Sequence, residues 1–251
     1  MARPAWHGFD YDLVDVEDYD ALRPEYAPES VDWMIRTVGL SDHAPVIELA
    51  AGTGKLTRLL VDASLSVVAL EPSARMRTIL SRAAGTAVVR AGTAERIPAP
   101  TGSCDAVLVA QAFHHFDTAR AAVEILRVVR PGGALILFWT TYEEHDPVKV
   151  ALDEVYARFG DRAVSARMGS WRESLASTGL FRRADEASFS HPHPIASAAL
   201  ARLYATSSDV ASLPPVRRLR LLSAIEEVGR RLPDQLSIAA STSVEVYRGR
   251  P

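Results

Sequence analysis

The chain has 251 residues, 48% hydrophobic and 24% charged, with a formal net charge of -3. That is enough apolar material for a full core, which excludes a disordered chain or a disulfide-stapled miniature. The near-neutral charge does not advertise a polyanion binder, and the single Cys104 excludes an internal disulfide or a cysteine-rich metal cluster.

The N-terminus lacks an apolar signal core. The densest apolar run, residues 134–139, is too short to span a bilayer. A soluble cytoplasmic protein without membrane contact is therefore expected. Residues 10–25 hold seven acids against one base, Arg23, and read as a solvated face. Pro24 and Pro28 break this segment. The helix that follows buries Val31, Met34, Ile35 and Val38 at i, i+3, i+4 and i+7.

From residue 45 the pattern alternates. A strand over 46–50 precedes a helix over 55–64, and a strand over 66–71 precedes a helix over 73–84. A strand follows near 86–91, then a proline-rich loop over 96–103 and a strand over 105–111. Asp117 caps the next helix, whose stripe is Ala122, Ile125, Leu126 and Val129. Pro131, Gly132 and Gly133 stop it before a strand over 134–140. Continuous apolar strands alternating with helices predict a parallel sheet covered on both faces and doubly wound. Beyond Tyr142 the pattern predicts helices over 147–159 and 165–177 and a strand near 182–190. Helical stretches over 196–206 and 215–232 and a last strand over 241–248 complete it. With no repeat or linker, one domain is expected: a helical lid over 1–44, a core over 45–145 and acceptor-side helices with the last two strands over 146–251.

The strongest signal is Glu48-Leu49-Ala50-Ala51-Gly52-Thr53-Gly54-Lys55 at the first strand-to-helix turn, where doubly wound sheets bind ligands. A phosphate-binding NTPase loop needs GxxxxGK[ST]; here Leu56 follows Lys55 and Leu49 lies five positions before Gly54, so that pattern fails twice. Aligned on Gly52, the dinucleotide fingerprint GxGxxG lacks two of its three glycines.

Glu48, Gly52 and Gly54 instead fit the acidic-x-x-x-Gly-x-Gly loop. On these residues the chain resembles the class I S-adenosylmethionine-dependent methyltransferases, in particular the broad bacterial group that includes ubiquinone-biosynthesis-type and trans-aconitate-type enzymes. The family pattern usually has glycine where Ala50 stands. The resemblance implies an α/β fold: a doubly wound, seven-stranded mixed sheet with an N-terminal helical lid and a helical insertion before the last strand. S-adenosylmethionine is the implied cofactor and S-adenosylhomocysteine the product. Glu48 would meet the cofactor's ammonium. Ala50, Gly52 and Gly54 would form the loop, and Glu71, before Pro72, would accept the ribose hydroxyls. Met76 would pack near the adenine, and Thr93, Ala94 and Glu95 would lie at its edge. Tyr19 and Arg23, a Tyr-x-x-x-Arg-Pro lid motif, would face the cofactor's carboxylate. Gln111 ends the fourth strand in the same site.

His114 and His115, at the carboxyl end of that strand, are the candidate catalytic bases, since histidine titrates near neutrality. Trp139, Tyr142 and His145 are candidate acceptor-pocket residues. His191-Pro192-His193 reads as surface, because no third ligand lies nearby, and no metal is expected. Arg217, Arg218, Arg220, Arg230 and Arg231, moderated by Glu226 and Glu227, read as a solvated or interface face, so no nucleic acid is expected. The oligomeric state stays open, a homodimer included. The implied function is methyl transfer to an O-, N- or C-nucleophile of a small molecule, in secondary metabolism. The alternatives are cyclisation or elimination on the same fold and cofactor, or a non-catalytic cofactor-binding regulator.

Overall fold

The structure, a computed structural model, describes residues 14–159 and 171–250. The five strands of the alternating region are β1 (Pro45–Leu49), β2 (Ser66–Leu70), β3 (Val88–Arg90), β4 (Cys104–Ala110) and β5 (Val129–Tyr142). They pair in parallel in the order β3-β2-β1-β4-β5. Two long strands, β6 (Phe181–Ala196) and β7 (Gln235–Gly249), complete the sheet. β7 lies antiparallel to both β5 and β6, and β6 is the edge. The result is the expected seven-stranded mixed sheet.

The central parallel strands are mostly apolar because both faces are covered. On one face Ile47, Val107, Val109, Leu135 and Leu137 pack with Ala122, Ile125 and Val128 of α5 (Thr118–Val128). On the other, Val46, Leu108, Ile136 and Phe138 pack with three helices. These are α2 (Pro28–Val38), α3 (Lys55–Asp62) and α4 (Ala74–Ala83), which contribute Met34, Leu60 and Leu80. Local chemistry sets the helix ends. Pro28 opens α2 and Gly39 closes it at φ +77°. Ser73 caps α4, and Asp117 caps α5 by accepting from the Arg120 N–H at 3.2 Å.

The acidic N-terminal run, described from residue 14 onward, does more than face solvent. It forms α1 (Val16–Leu22), capped by Asp15, and its acids hold this lid in place. Glu25 pairs with Lys55 at 2.5 Å, Asp20 with Arg58 at 3.6 Å, and Asp18 with Arg202.

The elements after Tyr142 are α6 (Pro147–Phe159), α7 (Trp171–Ser177), α8 (Leu200–Ala205), α9 (Ser208–Ala211) and α10 (Pro215–Gly229). Residues 165–170, the start of the helix expected over 165–177, lie outside the described residues. Leu152, Leu200, Leu221 and Ile225 form a separate apolar cluster with Ile195, Leu236 and Ile238 of the β6–β7 ribbon. That ribbon is longer than the sequence pattern predicts. Its extra length on β6 carries Pro192 and Pro194, which an edge strand tolerates because their missing N–H groups leave no central ladder bond unmade. Among the described residues, no helix is long and apolar enough to cross a membrane.

The first half of β5 is tightly built. A Cβ at Gly133 would lie 2.5 Å from the Asp105 carbonyl oxygen and 2.4 Å from Val129 Cγ1. Backbone oxygen cannot move aside cheaply, so Gly133→Ala is expected to destabilise the fold by about 1–3 kcal/mol, read as a lower urea midpoint. An unchanged midpoint would contradict this packing.

Candidate active site

At the carboxyl ends of the parallel strands lie two cavities that share Tyr19, Gln111 and His115 in their walls. The first is a narrow cleft of about 30 Å³, also lined by Ala50, Gly52, Glu71, Pro72, Met76, Ala110 and Ala112. The loop after β1 makes its rim. Ala50, Gly52 and Gly54 all have positive φ, at +52°, +60° and +96°. At Gly54 a Cβ would come within 2.7 Å of Leu80 Cδ1, so this glycine is needed for space as well as for conformation. Glu71, at the end of β2, reaches across the loop. Its Oε2 accepts from the Gly52 N–H at 2.9 Å and its Oε1 from the Ser73 N–H at 2.7 Å. Burial raises its pKa, and the two backbone donors oppose that shift. Among the described residues, no lysine or arginine lines this cleft to neutralise a phosphate.

The second cavity is wide, about 610 Å³, and opens under α1, α7 and the insertion. Its aromatic wall stacks Trp139 on Trp171 with centroids 5.2 Å apart and planes 20° apart. His114 and His115 sit on a 3₁₀ turn, Phe113–His115, directly after β4. Their rings are 3.9 Å apart, and His114 lies 5.5 Å from Trp139. His114 Nδ1 and Trp139 Nε1 are buried with no hydrogen-bond partner among the described residues.

The histidine environment corrects one expectation. Burial first, and then the neighbouring His115, lower His114 to about 3; burial lowers His115 to about 4. Neither ring titrates near neutrality. Both are neutral and weakly basic, and so poor proton acceptors at pH 7.

The opposite wall is polar. Arg23 donates through Nε to Thr206 Oγ1 and through Nη2 to Ser207 Oγ, each at 2.9 Å, and its guanidinium lies 5.5 Å from the centre of the Tyr19 ring. No carboxylate pairs with it among the described residues. Gln111, held at φ +57°, is pinned by its N–H to the Phe138 carbonyl at 2.9 Å and by its Nε2 to the Thr140 carbonyl at 2.7 Å.

The fold therefore gathers Tyr19, Ala50, Gly52, Glu71, Pro72, Met76, Gln111 and His115 around the narrow cleft. Arg23, His114, Trp139 and Tyr142 line the wide cavity. Other sequence candidates lie outside both. Glu48 is buried beneath the loop, where it accepts from Thr57 Oγ1 at 2.5 Å and burial pushes its carboxyl up to about 8. Gly54 serves as the N-cap of α3. Thr93 pairs with Arg96 in an isolated bridge, Ala94 is buried in the core, and Glu95 accepts from the Asp117 N–H at 3.1 Å. His145 is exposed in the turn after β5 and does not reach the cavity. Sequence reasoning missed Tyr26, Lys55, Trp171, Arg172 and Asp209 in the wide cavity. Lys55 could have been found from its place beside the glycine loop. The others are brought in by tertiary packing that no local pattern announces. Among the described residues, no group of histidine, cysteine and acid side chains is arranged to hold a metal ion.

Residues 47–137 match the family described as "Methyltransferase domain". An uncharacterised methyltransferase of Mycobacterium tuberculosis is 46% identical over 143 residues; the match covers 57% of this chain and 57% of that relative. The chain belongs to the class I S-adenosylmethionine-dependent methyltransferases. An uncharacterised methyltransferase-like protein of Schizosaccharomyces pombe is 29% identical over 235 residues, 91% of each chain. The solved structure of a type II methyltransferase assignment from Anaeromyxobacter dehalogenans shares the fold, with TM-score 0.67 and 19% identity over 91% of this chain and 98% of that one.

Where this chain carries Ala50 at φ +52°, a methyl group occupies a backbone conformation that is costly for L-residues. Ala50→Gly is expected to raise stability by about 0.5–1 kcal/mol, measured by urea unfolding; a loss would mean that the loop conformation is different. The histidine pair gives a pH-dependent outcome. Below about pH 6.5 the unfolded chain binds protons that the folded His114 and His115 refuse, so stability falls as pH drops toward 4. The double variant His114→Gln, His115→Gln should show a shallower decline of thermal midpoint between pH 7 and pH 4. An equal decline would place both rings in solvent.

Proposed function

We propose that this protein methylates a small organic acceptor held in the wide cavity, with S-adenosylmethionine in the adjoining cleft. The observation that carries the reading is a cleft without cations, joined through Tyr19, Gln111 and His115 to an aromatic cavity. A phosphate-free nucleoside fits the donor set of the cleft. Glu71 has lone pairs left for a ribose diol beyond its two backbone bonds. A Cβ on Gly52 would meet only Met76 Sδ, at 4.0 Å, so the backbone there is open to close approach. Met76, Ala110 and Ala112 supply an apolar floor. Arg23 and Tyr19 stand where a carboxylate would be received, and a guanidinium suits one by its two-pronged geometry. The cleft is much smaller than a nucleoside, so Tyr19 and the lid helix α1 must withdraw to admit it.

The bound cofactor would supply a sulfonium methyl group as electrophile. The residues of the chain bring the nucleophile close, align it and keep water out. Trp139, Trp171 and Tyr142 would hold a planar acceptor, while neutral His114 and His115 wall the junction without taking up a proton near pH 7.

Calorimetry with S-adenosylhomocysteine tests the cleft. Glu71→Ala should weaken binding about 10- to 100-fold, the loss expected for hydrogen bonds to a charged group. No binding by the unaltered protein, or equal binding by the variant, would overturn the assignment. Mass spectrometry of metabolite extracts incubated with protein and cofactor should then show a product heavier by one methyl group.

A further inference from the structure

Tyr142, in the wall of the wide cavity, has a partner, His193, that neither the cofactor cleft nor the histidine turn uses. Tyr142 Oη lies 2.8 Å from His193 Nδ1, with the two rings 9° from parallel. His193 comes from β6 and is 6% exposed, so it is not the surface residue its sequence context suggests. The backbone of Leu22, at the end of the lid helix, also favours a proton on this ring. A backbone carbonyl can only accept, so it takes the single N–H of a neutral imidazole. His193 Nδ1 is then bare and accepts the Tyr142 proton. With that proton committed, the Tyr142 oxygen offers only lone pairs, and whatever meets it must be a hydrogen-bond donor.

Charge narrows the class of donor. Among the described residues, Arg23 lines the cavity with no carboxylate partner, whereas Lys55 and Arg172 are paired with Glu25 and Glu245, and the lining acid Asp209 already accepts from Tyr156. A cationic amine is disfavoured there, and a carboxylate has no proton to give to Tyr142. The stacked tryptophans favour a flat apolar body.

We propose that the acceptor is a neutral aromatic hydroxyl compound, and that Tyr142 and His193 together receive the proton that its hydroxyl loses. The inference rests on the methyl-transfer reading above. The acceptor O–H bond breaks, its proton bonds to Tyr142 Oη, and the Tyr142 proton passes to His193 Nδ1. The acceptor oxygen keeps the bonding pair with which it takes the methyl group, and the imidazolium loses its proton to water as product leaves. Burial pushes the Tyr142 phenol up to about 12, so it stays protonated and acts only as a relay. His193 is lowered first by burial and then by Lys55 and His191, while the Leu22 backbone and Glu25 raise it. It is therefore neutral at pH 7 and able to accept. Turnover should fall on acidification below the ordinary histidine range, where His193 takes up its proton.

Calorimetry in saturating S-adenosylhomocysteine, with phenols from 4-methylphenol to 4-phenylphenol each paired with its fluoro analogue, tests the site without needing turnover. In the unaltered protein each bound phenol should be about 10-fold tighter than its analogue, the worth of one hydrogen bond near 1.4 kcal/mol. In Tyr142→Phe the two should bind alike. His193→Gln, which can still accept the Tyr142 proton but cannot hold it as a base, should keep the discrimination and lose O-methylation of any phenol the unaltered protein turns over. Retained S-adenosylhomocysteine binding shows that each variant is folded. Absence of phenol binding, equal affinity of phenol and analogue in the unaltered protein, or discrimination that survives Tyr142→Phe would overturn the inference. Failure of S-adenosylhomocysteine to bind the unaltered protein would instead overturn the cofactor assignment beneath it.

Discussion

The carboxylate of Glu71 bridges two loops that would otherwise be independent. It leaves the end of β2 and accepts from the N–H of Gly52, in the loop after β1, and from that of Ser73, at the start of α4. Nearly everything around the cleft follows from this bridge. The Gly52 N–H can point at Glu71 because the loop turns through positive φ at Ala50, Gly52 and Gly54. That path in turn requires α4 to lie close behind, and Leu80 fills the space that a side chain at Gly54 would need. A carboxylate held by backbone donors stays in place with no cation inside the cleft, and Arg77 favours its charge from outside. The cleft can therefore remain free of lysine and arginine.

The lid is held by a different kind of force. Its acids reach Lys55 and Arg58 on α3 and Arg202 on α8, mostly through partly exposed pairs. Such pairs are individually weak and screened by salt. Arg23 adds two hydrogen bonds to hydroxyls of the insertion. These polar ties would give way at modest cost, and the apolar anchorage of the lid is limited to a few side chains such as Val14, Val16 and Leu22. That matches a cleft too small, in the closed form, for the ligand proposed for it.

Much of this architecture is legible along the chain, for a physical reason. Strands buried on both faces are continuous apolar runs, so β1, β2, β4 and β5 stand out, and the glycine loop and Glu71 follow from local spacing. The far end of the β6–β7 ribbon is not legible, because an edge strand with one solvated face carries prolines and polar residues freely. The Tyr142–His193 pair was hidden for the same reason: its members are 51 residues apart and meet only through the antiparallel order of β5, β7 and β6. The histidine turn after β4 was visible, but its proton affinity was not. Burial is a property of the packed structure, and burial removed the basicity that the residue type suggested.

The two histidine sites differ in how their charge would be balanced. A proton on His114 would sit beside His115 with no acid to offset it, so the protein holds both rings neutral. His193 also faces Lys55 and His191, but the Leu22 backbone and Glu25 work in the opposite direction. An imidazolium there has partners, and one on the β4 turn has none. Arg23, which lines that cavity with no carboxylate partner among the described residues, would further favour an acceptor oxygen that becomes negative as its proton leaves. On the proposed reading, the field that lets a hydroxyl ionise lies in the wide cavity, and its proton goes through Tyr142 to His193 rather than to the turn nearest the cleft.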